Sequence, residues 1–250
     1  MYQFLTKKQE ISNNAKSYRD IFLTMALNSI YPEKMNLKEI GIIHSCFKQK
    51  FGTPRQSGLS KNSYGTIEIY KDFSHEDIIR GLESFSHIWV LFHFHKAKTW
   101  NATVRPPRLG GKEKVGVFAS RSPFRPNAIG MSILKIKDTK RKDGQILIGV
   151  SGLDILDKTP LLDIKPYIPS IDSIPDAKSG WAIGEFSKIE NISFSPDLKV
   201  KNPELVKEVI SLDPRPAHQK SLDKTYKLKI GEQDFHWRVI KNQVEVFKII

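Results

Sequence analysis

Arginine beside proline recurs four times in this chain, as TPRQSG (residues 53–58), VRPPRLGG (104–111), SRSPFRPN (120–127) and DPRP (213–216). Guanidinium forks bind carboxylates and phosphates through paired hydrogen bonds and stack on aromatic rings. Proline beside them removes loop freedom before a ligand arrives. One such pair reads as turn chemistry with a solvated charge. Four pairs, three of them at expected strand ends, read as a convergent polar site. The third lies within GVFASRSPFRPNAIGMS, residues 116–132. There Pro123 and Pro126 exclude both a helix and a strand interior, so Arg121 and Arg125 sit on a rigid basic loop that feeds a strand.

A second dense stretch is LDILDKTPLLDIKPYIP, from Leu153 onward. Asp154 and Asp157 bracket a strand end, Thr159-Pro160 forms a turn, and Asp163 follows. A carboxylate at the mouth of a strand can hold a ribose diol or an amine, and Asp and Thr-Pro are also common turn formers. Other chemistries lack their residues. RLGGKEKVG has adjacent glycines without a dinucleotide fingerprint or a phosphate loop. No Cys-x-x-Cys exists, and His44-Ser45-Cys46 has no spaced partners. His93 and His95 would share a strand face and could start a metal site. Without a third ligand at readable spacing, they suit a structural or cofactor-edge role, and no metal is expected.

The elements that position these residues belong to a chain of 250 residues, 39% hydrophobic and 27% charged, which fits a globular protein of one large domain, or of a main domain with an appendage. No apolar stretch approaches the roughly 20 residues that span a bilayer. The first residues lack the order of a secretory signal. One cysteine, Cys46, rules out a disulfide framework within the chain and suits a reducing cytoplasm. A net charge of +13 favours a polyanionic partner, against the plainer reading of a lysine-rich solvated surface.

Residues 1–34 differ in texture from the rest. They hold one possible helix at 18–27 and read as an extension, a flexible leader or an upstream start, dispensable for the core. From Met35, MNLKEIGIIHSCF, YGTIEIY, HIWVLFHFH, SILKIK and GQILIGVSGLDIL read as strands. An Asp-Gly turn separates the last two. SHEDIIRGLESF has helical spacing, with Ser74 as N-cap. Many strands and few helices predict a mainly β fold with a closed β-barrel over 35–175. A Pro/Ser-rich linker spans 176–190. A small α+β appendage follows over 191–250, with a helix at 202–212 capped by Asn202 and three short strands.

The words IGIIHS, KFGTPRQSGL, RGLESFSHIWVLFHFH, VRPPRLGG, GVFASRSPFRPNAIGMS, LDILDKTPLLDIKPYIP and DPRPAHQK occur here in one order. In that order they resemble the TsaA/TrmO family, also called YaeB-like or VirR-like. The resemblance covers about residues 38–175 plus the appendage. It implies a single-sheeted, non-Rossmann β-barrel methyltransferase that acts as a homodimer, with its cofactor near the subunit interface. It implies S-adenosylmethionine as methyl donor. The implied substrate is tRNA carrying N6-threonylcarbamoyladenosine beside the anticodon, methylated on N6 in the cytoplasm.

Carried over residue by residue, the family's cofactor contacts fall on Pro54, Arg55, Gln56, His95, Lys96, Arg121, Met131, Asp154, Asp157, Lys158, Thr159 and Pro160. Substrate handling falls on Asp213, Arg215 and His218. Arg105, Arg108 and Arg125 are further candidates for substrate anions, Arg125 alternatively for loop structure. His218 departs from the family's usual tyrosine, though an imidazole can still stack on a base. Methyl transfer from a sulfonium is mainly a matter of positioning two reactants, which agrees with the missing metal and nucleophile motifs. Two other readings of the residues are a non-catalytic RNA-binding barrel and a small-molecule amine methyltransferase.

Overall fold

Period-two alternation in this chain resolves into strands that close on themselves. The computed structural model describes residues 35–184, 188–215, 224–240 and 243–250. The possible helix at 18–27 and His218 lie outside them. Six strands form a closed antiparallel barrel in the order β1-β2-β7-β6-β3-β8. They are β1 (Gly41–Ser45), β2 (Tyr64–Ile69), β3 (His87–His93), β6 (Ile129–Lys142), β7 (Gln145–Ser151) and β8 (Thr159–Pro166). The interior is filled by Ile43, Ile67, Ile88, Val90, Leu134, Ile146, Ile148 and Leu161. A two-stranded ribbon, β4 (Thr103–Val104) with β5 (Val115–Gly116), lies in the long connection between β3 and β6.

The expected Asp-Gly hairpin is present. Asp143 and Gly144 both have positive φ, 52° and 79°, which matches the twist of the flanking strands β6 and β7. The expected helix over SHEDIIRGLESF is not formed. Two 3-10 turns replace it, Glu76–Ile79 and Leu82–Ser84, after a third at Lys71–Phe73 just ahead of the segment. Gly81, at φ 85°, takes a left-handed turn that an α-helix cannot pass through. Ser74 is not an N-cap. Its buried hydroxyl donates to Ile69 O at 3.0 Å and accepts from Ile146 N at 3.2 Å, tying this segment to β7.

Two strand boundaries also differ from expectation. GQILIGVSGLDIL ends as a strand at Ser151, because Gly152 takes φ 82°. Thr159-Pro160 is not a turn; the turn comes at Asp157-Lys158, with Lys158 at φ 59°, and Thr159 opens β8. Pro160 is tolerated there because it sits at the second residue of the strand, opposite Ile42 of β1.

The C-terminal part holds helix α2 (Pro203–Ser211), which follows the single helical turn α1 (Pro169–Asp172). Asn202 caps α2, its side chain accepting from Leu205 N at 3.1 Å, with Pro203 at the first position as expected. A second sheet runs β10-β11-β12-β9, with β10 (Tyr226–Ile230), β11 (Gln233–Ile240), β12 (Gln243–Ile249) and the unforeseen β9 (Ile192–Phe194) parallel to β12. Leu228, Phe235, Trp237 and Val246 of this sheet and Leu205 and Val209 of α2 belong to the buried core.

Residues 39–250 are one compact unit, and the segment after β1 joins its two sheets. Phe47 bridges to Ile230, and Gly231 N donates to Cys46 O at 2.8 Å. At Gly52, φ is +87° and a Cβ would stand 2.0 Å from Leu228 Cδ1, so only glycine lets the chain pass. Glu208 of α2 accepts from Ser60 Oγ at 2.9 Å, Asn62 N at 3.0 Å and Asn62 Nδ2 at 2.8 Å.

Candidate functional site

The first half of β6 is an edge that loops have to cover. β6 pairs with β3 from Ile129 to Lys135, but with β7 only from Lys135 onward, because β7 stops at Ser151. Residues 129–134 therefore leave one row of backbone groups without a strand. Two of the words singled out in sequence meet that row. Ile133 N donates to Ser57 Oγ at 3.3 Å, and the Ser132 hydroxyl donates to Asp154 Oδ1 at 2.6 Å. The two covering loops are themselves joined, Gly58 N donating to Gly152 O at 2.9 Å.

The basic loop closes over the same edge. Arg121 Nη1 donates to Gln56 Oε1 at 2.7 Å, which joins SRSPFRPN to TPRQSG. Arg121 also lies near enough to Asp154 to favour its ionised form. Burial outweighs that and pushes the Asp154 carboxyl from the usual 3.8 up to about 6, against the Ser132 hydroxyl and backbone donors. Met131, next to Ser132, points to the outer face and is 54% exposed.

His95 and Thr159 form a neighbouring pair. β3 ends at His93, and His95 falls in the turn beyond it, its N–H bonded to His93 O at 2.7 Å, so the two histidines do not share a strand face. The Thr159 hydroxyl donates to Leu156 O at 2.7 Å and lies 3.5 Å from His95 Nδ1. Burial, with Lys96 and His93 nearby, lowers the His95 pKa and so favours the neutral ring. Lys96 itself is exposed.

Other expected residues go to different tasks. Asp157 turns away from Asp154, accepting from Ser45 N at 2.8 Å and pairing with Lys48 at 2.9 Å. Arg125 fastens its own loop, donating to Ser120 O at 3.1 Å and Ser122 O at 3.4 Å. Arg108 donates to the carbonyls of Ile183 and Gly184, which ties the VRPPRLGG loop to the connection after the barrel. Arg105 and Lys158 are exposed, Pro54 is buried, and Pro160 is half-buried.

A third cluster joins the first and last Arg-Pro words. Arg215 grips Asp213 through two bonds, Nε to Oδ1 at 2.6 Å and Nη2 to Oδ2 at 3.1 Å. Its guanidinium is 5.8 Å from the Tyr226 ring and 6.0 Å from that of Trp237, and the residue is only 9% exposed. Asp213 holds a left-handed backbone, φ 44°, to reach it. Burial lowers the pKa of Arg55, and the Asp213 charge opposes that, so Arg55 stands beside this pair.

Sequence reading missed Ser57 and Ser132, which anchor the covering loops. Neither sits in a pattern that distinguishes it from any other serine; only the unpaired edge of β6 gives them work. A separate cleft of about 280 Å³ lies between β1, β2 and the second sheet, lined among others by His44, Lys48, Tyr64, Lys201 and Phe235, and none of the expected site residues borders it. Among the described residues no group of three or more His, Cys, Asp or Glu could hold a metal ion.

The donor set suits an elongated ligand of mixed charge. A carboxylate would meet Arg121 and the Gln56 amide, while hydroxyls or an amine would meet Asp154. An apolar sulfur-bearing chain would pass Met131. S-adenosylmethionine carries each of these groups, so the residues present fit it.

Residues 42–173 match the family described as tRNA-methyltransferase O N-terminal domain, and residues 187–250 match the TrmO C-terminal domain. The chain is 40% identical over 226 residues to a tRNA (adenine(37)-N6)-methyltransferase of Escherichia coli, covering 85% of this chain and 96% of that one. It is 38% identical over 215 residues to a putative S-adenosylmethionine-dependent methyltransferase, RcsF, of Pseudomonas aeruginosa, covering 81% and 91%. A crystal structure of TrmO from Pseudomonas aeruginosa superposes with a TM-score of 0.71 at 30% identity, covering 87% of this chain and 98% of that one.

Proposed function

The chain belongs to the TrmO family, matched over both its N- and C-terminal domains, and from that premise we propose that it transfers a methyl group from S-adenosylmethionine to N6 of adenine 37 in tRNA. The geometric observation that carries this reading is the meeting of three separate sequence words at the unpaired edge of β6, through Arg121 with Gln56 and Ser132 with Asp154. A non-catalytic RNA-binding barrel is not favoured, since relatives over most of the chain carry methyltransferase names.

Bound S-adenosylmethionine supplies an electrophilic methyl on a sulfonium. The chain's residues do the positioning, which is most of what an in-line displacement requires. Arg121, steadied by Gln56, would hold the cofactor's carboxylate, and Asp154, steadied by Ser132, would accept hydrogen bonds from it and supply a negative charge to balance its positive one. Pro54, Arg55, His95, Lys96, Met131 and the start of β8 at Thr159-Pro160 would complete the walls. Arg105, exposed on the neighbouring loop, suits a tRNA phosphate, while Arg108 fastens that loop to the connection after the barrel.

The proposed substrate form is the threonylcarbamoylated adenine, whose carboxylate suits an arginine-rich mouth. We assign residues 35–175 to cofactor binding, 176–190 to a linker and 191–250 to substrate handling. A homodimer is supported by the apolar outer face that Trp89, Leu91, Ile129 and Met131 share on β3 and β6. Cytoplasmic residence is supported by the tRNA substrate and the single cysteine. The test is nucleoside mass spectrometry of tRNA incubated with protein and methyl-labelled S-adenosylmethionine, with and without a strong chelator. Label on N6 of adenine 37 in both samples is expected, and its absence from tRNA overturns the proposal.

A further inference from the structure

The second half of β6 has a composition that packing does not explain. Every residue from Lys137 to Gly144 is exposed, although the β7 residues paired with Thr139 and Arg141, Ile148 and Ile146, are buried in the barrel, so this half of β6 turns its outer face to water along the barrel wall. Within ten residues of this segment stand Lys135, Lys137, Lys140, Arg141 and Lys142, against Asp138 and Asp143.

The strand's two faces treat these charges differently. Arg141 shares the side of buried Ile146, its cross-strand partner. It donates to Glu76 at 2.5 Å and to Ser74 O at 2.8 Å, which closes the barrel end. Lys135 and Lys142 lie on the opposite, outer side, where side chains alternate with the buried set. Lys140 lies there too, paired with Asp138 at 2.8 Å. Lys137 is the extra residue at a bulge between Ile136 and Asp138, and it is exposed. Among the described residues Lys135, Lys137 and Lys142 meet no carboxylate within ion-pair distance.

Met131 stands on the same outer face of the same strand. At the rise of a strand, Lys135 is roughly 13 Å from it and Lys142 roughly 36 Å. We propose that this lysine ridge is a docking track for the sugar–phosphate backbone of the tRNA, leading from the methylation site along the stem that carries the target loop. The inference rests on tRNA being the substrate. An exposed strand face with cations along it follows a phosphate row without reading bases, which an enzyme serving a stem of varied sequence needs.

The test uses the full-length protein and bulk tRNA from cells lacking this enzyme. Binding is followed across a salt series for wild type and for Lys135→Gln/Lys137→Gln/Lys142→Gln, with thermal unfolding as a check on folding. The triple variant should bind tRNA about tenfold more weakly, and its log–log salt slope should fall by about two to three, near one for each phosphate no longer neutralised. Lys142→Gln alone should lower the slope by about one, and Lys→Arg at all three positions should restore it. Glutamine at the exposed Lys61, Lys178 and Lys199, which removes equal charge elsewhere, should leave the slope near wild type. An unchanged slope in the triple variant overturns the ridge, as does an equal loss in the Lys61/Lys178/Lys199 variant. Self-association with an unchanged slope also overturns it and assigns the lysines to guarding a strand edge. Methyl transfer is scored separately on the wild type. A wild type that binds tRNA with the expected slope but transfers no methyl sinks the proposed function and leaves the ridge standing.

Discussion

Asp154 holds its proton to higher pH in the folded protein than in the unfolded chain, because burial raises its carboxyl from 3.8 to about 6. The folded state therefore binds more protons between those values, and stability falls as pH rises from 3.8 through about 6. The shift corresponds to roughly 3 kcal/mol. Asp154→Asn should remove this loss, so its unfolding temperature should exceed that of wild type above pH 6 and converge on it below pH 4, as read by thermal denaturation. The same ionisation should appear in cofactor binding. S-adenosylmethionine affinity should decline as pH falls below about 6 in wild type and stay flat and weaker in Asp154→Asn. A wild-type affinity that is constant from pH 8 to pH 5 would remove Asp154 from the cofactor's contacts. Arg121→Ala deletes the guanidinium opposite. A charge-assisted bond at such a site contributes about 1–3 kcal/mol, so calorimetry should show roughly five- to hundredfold weaker cofactor binding with little change in melting.

At the scale of elements, the barrel was legible where alternation and turn chemistry agree, as in YGTIEIY and the Asp-Gly hairpin between β6 and β7. It was misread where one glycine overrides a pattern. Ile78, Ile79 and Leu82 have helical spacing, yet Gly81 at φ 85° breaks the segment into 3-10 turns. β8 was hidden because Thr159-Pro160 looks like a turn until its partners β1 and β3 are known, and those pairings are set by barrel closure, which no local window contains. The site words were legible as words. That Gln56 would meet Arg121 while Asp157 would turn to Lys48 depends on where β7 stops, and so on the positive φ of Gly152. The join between α2 and the barrel loop was equally invisible, since Glu208 and Ser60 are far apart in sequence. Glu208→Ala should leave the Ser60 hydroxyl and the Asn62 N–H without their acceptor and cost about 1–3 kcal/mol. Chemical denaturation measures it, and an unchanged midpoint would show that water replaces the carboxylate there.

At the scale of the molecule, a net charge of +13 explains attraction to any RNA but not choice among RNAs. Choice requires buried polar groups that only the right substrate satisfies. An unmodified adenine amine is a poor nucleophile, because its lone pair is delocalised into the ring. The threonylcarbamoyl group changes the acidity of that nitrogen and adds a carboxylate. A site shaped around that anion leaves its own donors unpaired when the group is missing, and such sites discriminate strongly. Wild type should therefore incorporate methyl into threonylcarbamoylated tRNA and not into the same tRNA without the group. Arg215 separates two ways of achieving this. Its guanidinium is engaged by Asp213 and packed near Tyr226 and Trp237, so it is placed to shape the segment rather than to reach a phosphate. Arg215→Ala should then lower turnover on the modified tRNA while leaving the salt dependence of tRNA binding unchanged. A slope smaller by about one unit would instead make Arg215 a phosphate ligand. Equal wild-type rates on modified and unmodified tRNA would defeat the selectivity and describe an enzyme that methylates adenine 37 irrespective of its prior modification.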